Sequence, residues 1–335
     1  MSVSSAEMLQ RFVEIPSHTG SEAAFVDHLH GFMRDQFTPD HLELQEVAPG
    51  RSNLIMVNGK PEIMLTSHMD TVPTSIVLRT EGGRLYGTGA CDAKGQIAAQ
   101  LGAIHMARDS GLEDFGCFFV VGEEIDSLGA RNVVEHPLVR GKYVLNGEPT
   151  GNAFVKRSKG VVEAAARTEG TEAHSSLTPL DSATHKLIAG MHRLLEKPPL
   201  DTTVNIGLLR GGVAPNVSAS HAEGAINLRI AQRSEAVIEA VKKLLGHDIS
   251  MEVLDVIEPF DFYVPANHAD AAITVNYCSD ASYYATNFEH VMMFGPGDIR
   301  YAHSQKEHVE LSQVEDASRV MGHLLLAVNA TEREV

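Results

Sequence analysis

The sequence predicts an α/β fold, a frame of helices and short buried strands with a β-α-β-β-α-β segment set into its middle. Three observations carry this. At 335 residues, 43% hydrophobic and 21% charged, the chain has the composition of a soluble globular protein and the length of about two domains. In both flanks, short apolar runs end in polar or glycine-rich turns, with stretches of helical spacing beside them. In the middle the order changes to the split arrangement of a ferredoxin-like sandwich.

Residues 22–37 have helical spacing, with Phe25, Leu29, Phe32 and Met33 on one side and Ser21-Glu22 as a cap. Residues 62–66 form a strand that runs into Ser67-His68-Met69-Asp70-Thr71-Val72-Pro73. A glycine-rich turn over 86–95 holds Asp92 and opens a helix over 94–107, whose alanines and apolar residues mark it as buried. Residues 117–121 are a strand ending in Gly122-Glu123-Glu124, and 143–145 a strand ending in Asn146-Gly147-Glu148-Pro149-Thr150. The middle reads as strand 161–166, helix 181–195, strand 203–209, strand 222–230, helix 235–245 and strand 249–257. Residues 291–294 lead into Gly295-Pro296-Gly297-Asp298, with Ala302-His303-Ser304 close behind, and 311–330 form a closing helix.

The polar ends of these runs are the informative part. A buried strand that ends in two carboxylates, Glu123-Glu124, aims both into a cleft, where each needs a partner. Taken alone, the pair also fits a solvated loop. His68, Asp92, Glu124, Glu148 and His303 each fall at or soon after the C-terminal end of an apolar run, or in a glycine turn. In an open α/β sheet that edge binds ligands. His68 and Asp70 share a face if their strand continues; alternatively, Asp70 touches the far nitrogen of His68 and fixes its tautomer. Asp92 can also cap the following helix, and Glu148 before Pro149 sits in an extended turn whatever its role. His303 is one of 17 histidines and owes its interest to its place after Gly295-Pro296-Gly297-Asp298. Imidazole and carboxylate without thiolate suit zinc or a similar divalent ion in a catalytic site.

The motifs SHMDTVP, GTGACDAKG, GEE, NGEPT, GTEAHSS and GPGDIRYAHSQKEHVE, in that order over residues 67–310, resemble the zinc-dependent M20 peptidase and deacylase family. That family includes acetylornithine deacetylase, succinyl-diaminopimelate desuccinylase, carboxypeptidases and aminoacylases. The resemblance implies a zinc-exopeptidase-like catalytic domain, a mixed sheet between helices, over 1–156 and 264–335. It also implies an inserted lid and dimerisation domain over 157–263. Two divalent ions, zinc with cobalt or manganese as alternatives, would share Asp92; His68 and Glu148 would complete one, Glu124 and His303 the other. Glu123 would move the proton from attacking water to leaving nitrogen, with Asp70 behind His68. His174 would reach the active site of the other subunit of a homodimer and stabilise the oxyanion, and Asn216 and Arg229 would hold substrate oxygen and carboxylate. A plain loop histidine and a surface salt bridge are the ordinary alternatives for these last residues.

The implied reaction is removal of an acyl group, acetyl in first place, from a small N-acyl amino acid, in the manner of acetylornithine deacetylase in arginine or lysine biosynthesis. The short link over 74–86 and the absence of tryptophan depart from that branch and are similar to lysine- and ornithine-releasing hydrolases that act on a carrier protein. Succinyl-diaminopimelate and dipeptides, as for a dipeptidase or carboxypeptidase, stay open, as does a non-catalytic metal-binding scaffold.

Composition narrows the rest. A net charge of −17 argues against a nucleic-acid partner and against an acidic carrier unless a local basic patch receives it. No apolar stretch approaches the roughly 20 residues that span a bilayer, and the opening MSVSSAEMLQRFVEI lacks the pattern of a signal peptide. Three widely spaced cysteines, Cys91, Cys117 and Cys278, predict a reducing, cytoplasmic setting and no structural zinc site. There is no HExxH, nucleophile elbow or Walker A sequence, and Asp92 stands where a dinucleotide fingerprint needs its third glycine.

Overall fold

Six-residue strands buried along their whole length set the geometry of the first unit. The computed structural model describes residues 3–331, and its chain falls into two units. The first runs to Lys156 and takes in Phe262–Ile273 and the chain from Ser279 onward; the second is Arg157–Asp261 with Thr274–Cys278.

In the first unit a six-stranded sheet has the order His41–Ala48, Arg51–Asn58, Phe115–Val120, Ile63–His68, Gly141–Asn146, Phe288–Met293. The first two strands pair antiparallel, and Arg51–Asn58 pairs antiparallel with Phe115–Val120. The remaining pairs are parallel. Every residue of Ile63–His68 and Phe115–Val120 is buried, as expected of parallel strands covered on both faces. Register puts His68 beside Val120 and Met293 beside Asn146. The loops that follow those residues therefore all leave from one edge of the sheet.

The helix Lys94–Asp109 is buried almost all round, and its buried positions include Gln96 and Gln100 as well as Ile97, Leu101 and Ile104. The helix Ser5–Val13 starts with a capping box between Ser4 and Glu7 and adds Met8, Leu9 and Phe12 to the same core. One expectation needs correction. The helix Ala23–Phe37 has no side-chain cap: Glu22 is fully buried and turns instead to the guanidinium of Arg51, at 2.5 Å and 3.1 Å. A buried carboxylate gains more from a forked, charge-assisted pair than from one backbone N–H.

In the second unit four antiparallel strands have the order Thr203–Gly211, His221–Ile230, Gly160–Glu169, Ser250–Ile257. With the helices Ala183–Glu196 and Ser234–Leu245 this is the expected β-α-β-β-α-β sandwich. Strict alternation of burial along His221–Ile230 sends Ala222, Ile226, Leu228 and Ile230 into a core shared with Leu187, Met191, Val237 and Val241. Thr203–Gly211 is an edge strand, mostly exposed.

Candidate metal centre

The sheet edge of the first unit collects the acidic and imidazole side chains singled out in the sequence. His68 ends its strand, is 2% exposed, and points Nε2 at Asp92 Oδ1, 3.0 Å away. His303 Nε2 lies 2.9 Å from Glu124 Oε2 and 3.4 Å from Asp92 Oδ2. One ligand atom each from His68, Asp92 and Glu124 can be chosen so that all lie within 4.8 Å of one another. Glu148, buried after the strand Gly141–Asn146, has its Oε1 3.3 Å from Asn146 Nδ2, which donates to it, and is within electrostatic reach of His68 and Asp92. His303 has φ 57, a left-handed conformation uncommon outside glycine and most often retained where a site needs it.

His68 and Asp70 do not share a strand face, because the strand stops at His68. The tautomer-fixing arrangement is present, with a difference. His68 Nδ1 lies 2.9 Å from the Asp70 backbone carbonyl and 3.6 Å from the carboxylate Oδ1. The acceptor fixes the proton on Nδ1 and leaves Nε2 as the free donor atom for a metal. The Asp70 carboxylate is used elsewhere: it accepts the backbone N–H groups of Glu123 and Glu124, each at 3.2 Å, and the Thr19 hydroxyl at 2.8 Å. Asp70 thus ties the His68 strand end to the Glu123-Glu124 turn.

The electrostatics test whether a cation belongs here. Burial raises the Glu148 carboxyl well above the usual range, with Asp92 and Asp280 adding to it. Burial likewise raises Glu123 well up, with Glu148, Asp280 and Glu124 adding to it. Burial pushes Asp280 to about 7. Burial works against a charged His68, but Asp70 and Asp92 outweigh it and hold the imidazole well above its ordinary value. Asp92 and Glu124 push His303 up to about 10. Carboxylates that resist ionising, beside imidazoles that hold their protons, are the signature of a pocket short of positive charge. Divalent cations would supply that charge, and N and O donors suit them.

Several supporting residues carried no signal in the sequence. Gln96 Nε2 donates to Cys91 O at 3.1 Å and to Pro296 O at 2.8 Å, joining the Asp92 turn to the loop that leads to His303. Gln100 Nε2 donates to Thr66 O at 2.7 Å, two residues before His68. Both lie on a helix whose pattern reads simply as buried. Gly297 shows how tightly these loops meet: its φ is +92, and a Cβ there would stand 2.7 Å from Cys91 Sγ. Gly297→Ala should destabilise the protein by about 2 kcal/mol through backbone strain and this clash. Denaturant unfolding checks it, and an unchanged midpoint would show that the loop yields.

A family model described as Peptidase family M20/M25/M40 matches residues 64–327. The chain belongs to this family. It is a metal-dependent hydrolase of amide bonds. A "probable carboxypeptidase" of Aspergillus clavatus is 30% identical over 370 residues, spanning 96% of this chain and 88% of that protein. A protein of Aeropyrum pernix named for LysW-lysine/LysW-ornithine hydrolysis is 27% identical over 290 residues, spanning 80% of this chain and 81% of that one. The crystal structure of aminopeptidase PepT from Bacillus cereus superposes with a TM-score of 0.78, covering 97% and 99% of the two chains at 21% identity. It has the same fold.

The other residues of interest in this M20 chain lie in the second unit. His174 is exposed and bridges to Val217, which sets the loop 170–176 against the loop 211–218. Ser175 N–H donates to Asn216 O at 3.0 Å and Ser218 N–H to Ala173 O at 2.8 Å, so His174 and Asn216 are held as neighbours. His174 Nδ1 accepts the Ser176 N–H at 3.2 Å, which places the proton of the neutral ring on Nε2. Arg229, half-buried on His221–Ile230, donates from Nη1 to Cys278 Sγ at 3.7 Å. Among the described residues no helix is long and apolar enough to cross a membrane.

Proposed function

We propose that this M20 chain hydrolyses the amide between an acyl group and the α-nitrogen of a small amino acid whose carboxylate is free. The observation that carries this is the convergence of His68, Asp92, Glu124 and His303 on one point of the sheet edge. His68, Asp92 and Glu148 would hold one divalent ion and Asp92, Glu124 and His303 a second, with zinc the first choice. Such a pair activates water at neutral pH and polarises the scissile carbonyl. Glu123 takes the proton of the attacking water and returns it to the leaving amine. Asp70 positions both His68 and the backbone of Glu123. His174, with Nε2–H as donor, stabilises the oxyanion of a partner subunit's substrate, which makes the active form a homodimer joined through the lid, 157–263. Asn216 and the forked guanidinium of Arg229 receive the substrate's oxygen and carboxylate.

The favoured substrate is an acetylated diamino acid, on the motifs over 277–303. The Aeropyrum pernix relative supports a second reading, release of lysine or ornithine from a carrier protein. The −17 charge of the chain stands against that for an acidic carrier. Carboxypeptidase action, as in the name of the Aspergillus clavatus relative, breaks the same kind of bond with a longer acyl side. Metal analysis, followed by turnover of acetylornithine, acetylcitrulline, acetyllysine, succinyl-diaminopimelate, dipeptides and carrier-linked lysine, tests all three. We expect bound divalent metal, activity lost on chelation and restored by zinc, and acetylated diamino acids turned over fastest. A metal-replete dimer that cleaves no amide would instead be a metal-binding scaffold.

A further inference from the structure

We propose that Glu307 is a positioning residue that locks the Asp92 turn to the loop bearing His303 and so fixes the spacing of the metal ligands. The inference deepens the metal-centre reading and rests on it.

The Asp92 turn cannot satisfy its own backbone. The residue at the start of the following helix is Ala93, which offers no capping side chain, so the N–H groups that precede the helix need an acceptor from elsewhere. Glu307 provides one. Its Oε1 accepts the N–H groups of Cys91 and of Asp92 itself, both at 3.1 Å. Glu307 is 1% exposed, so these bonds are shielded from water, and losing them would strand buried donors.

The main chain brings the residue there. The strand His308–Glu310 pairs antiparallel with Arg84–Tyr86, setting His308 opposite Tyr86. Gly87 N–H then donates to the Glu307 carbonyl at 3.4 Å. On its other side Glu307 closes the His303 loop, because its own N–H donates to Ser304 O at 3.1 Å and Ser304 Oγ donates to Tyr301 O at 2.8 Å. Lys94 is near enough for its charge to act on Glu307, yet its ammonium bonds to Ile15 O and sits 4.5 Å over the Phe25 ring. The carboxylate is therefore given over to the turn. Asp92 and His303 both come from loops, and a loop ligand is only as well placed as what holds its backbone. Here one residue holds both, the Asp92 turn through its buried carboxylate and the His303 loop through its own backbone N–H.

The test uses the full chain, stripped of metal, with zinc affinity measured by competition against a fluorescent chelator. Thermal unfolding of the metal-free forms is followed in parallel. Glu307→Ala should bind zinc about 10- to 100-fold more weakly, the usual loss when a group behind the ligands is removed. Glu307→Gln keeps an oxygen to accept the Cys91 and Asp92 N–H groups and should recover most of that loss. A purely structural Glu307 would lower the unfolding temperature and leave zinc affinity alone. Wild-type affinity in a folded Glu307→Ala protein overturns the inference, and so does a Gln variant as weak as Ala. Should Ala not fold, Glu307→Asp carries the test: a carboxylate one methylene short should lose affinity, and full affinity there overturns the proposal. A wild-type protein that binds no zinc brings down the metal-centre reading itself, whereas tight wild-type binding with an unaffected Ala variant brings down only this step.

Discussion

Replacing Glu123 by glutamine should lower kcat by about 100- to 10,000-fold, the range for loss of a general acid–base, with metal content and unfolding temperature unchanged. Glu123 stands beside Glu124, yet the two occupy different environments. Glu124 touches His303 at 2.9 Å. The backbone of Glu123 is fixed by Asp70, while burial, helped by the charges of Glu148, Asp280 and Glu124, lifts its carboxyl well above the usual range. A carboxyl held up in this way has more affinity for a proton than an ordinary carboxylate, which is the tuning that the proposed proton shuttle near neutral pH requires. Glutamine has the same length and keeps the Asp70 bond to the backbone, so it removes proton transfer and little else. Metal analysis beside steady-state kinetics separates the outcomes. If metal disappears together with turnover, Glu123 is a ligand and the division of labour within the pair is wrong.

The convergence of His68, Asp92, Glu124 and His303 could be anticipated because each follows an apolar run or a glycine turn, and parallel strands bring such ends to one edge. The same reasoning located Ile63–His68, Phe115–Val120, Gly141–Asn146 and the strands and helices of the ferredoxin-like sandwich. It did not reach Gln96, Gln100 or Glu307, whose partners are backbone groups many residues away. A polar residue that bonds to a group distant in the chain leaves no local pattern. Glu22 misled for the same reason: its place before a helix suggests a cap, and only the fold reveals Arg51 across from it. The antiparallel pair His41–Ala48 and Arg51–Asn58 was readable in principle, since Leu54 to Val57 is an apolar run.

The second large effect is expected at Asp70, where one carboxylate holds three elements together. It is 0% exposed, and it serves the Glu123 and Glu124 N–H groups, the Thr19 hydroxyl and, at longer range, His68. Asp70→Ala strands two backbone donors in a buried place, at about 1–3 kcal/mol each, so a loss of about 3–5 kcal/mol in unfolding free energy is expected, as for a broken buried pair. Activity should fall by about 10- to 100-fold even in the fraction that stays folded, because the Glu123 turn is released and the backbone that carries the His68 acceptor loses its tie to that turn. The effect has a pH signature whose sign follows from the site. Burial works to raise the Asp70 carboxyl, but His68 and Thr19 overcome it and hold the group below its ordinary value. A depressed carboxyl contributes its full stabilisation above its unfolded pKa and loses it as pH falls through the folded one. The stability gap between wild type and Asp70→Ala should therefore be wide at pH 7 and narrow below about pH 4. Urea unfolding at the two pH values measures the gap, and one that stays constant would mean that Asp70 contributes by shape alone.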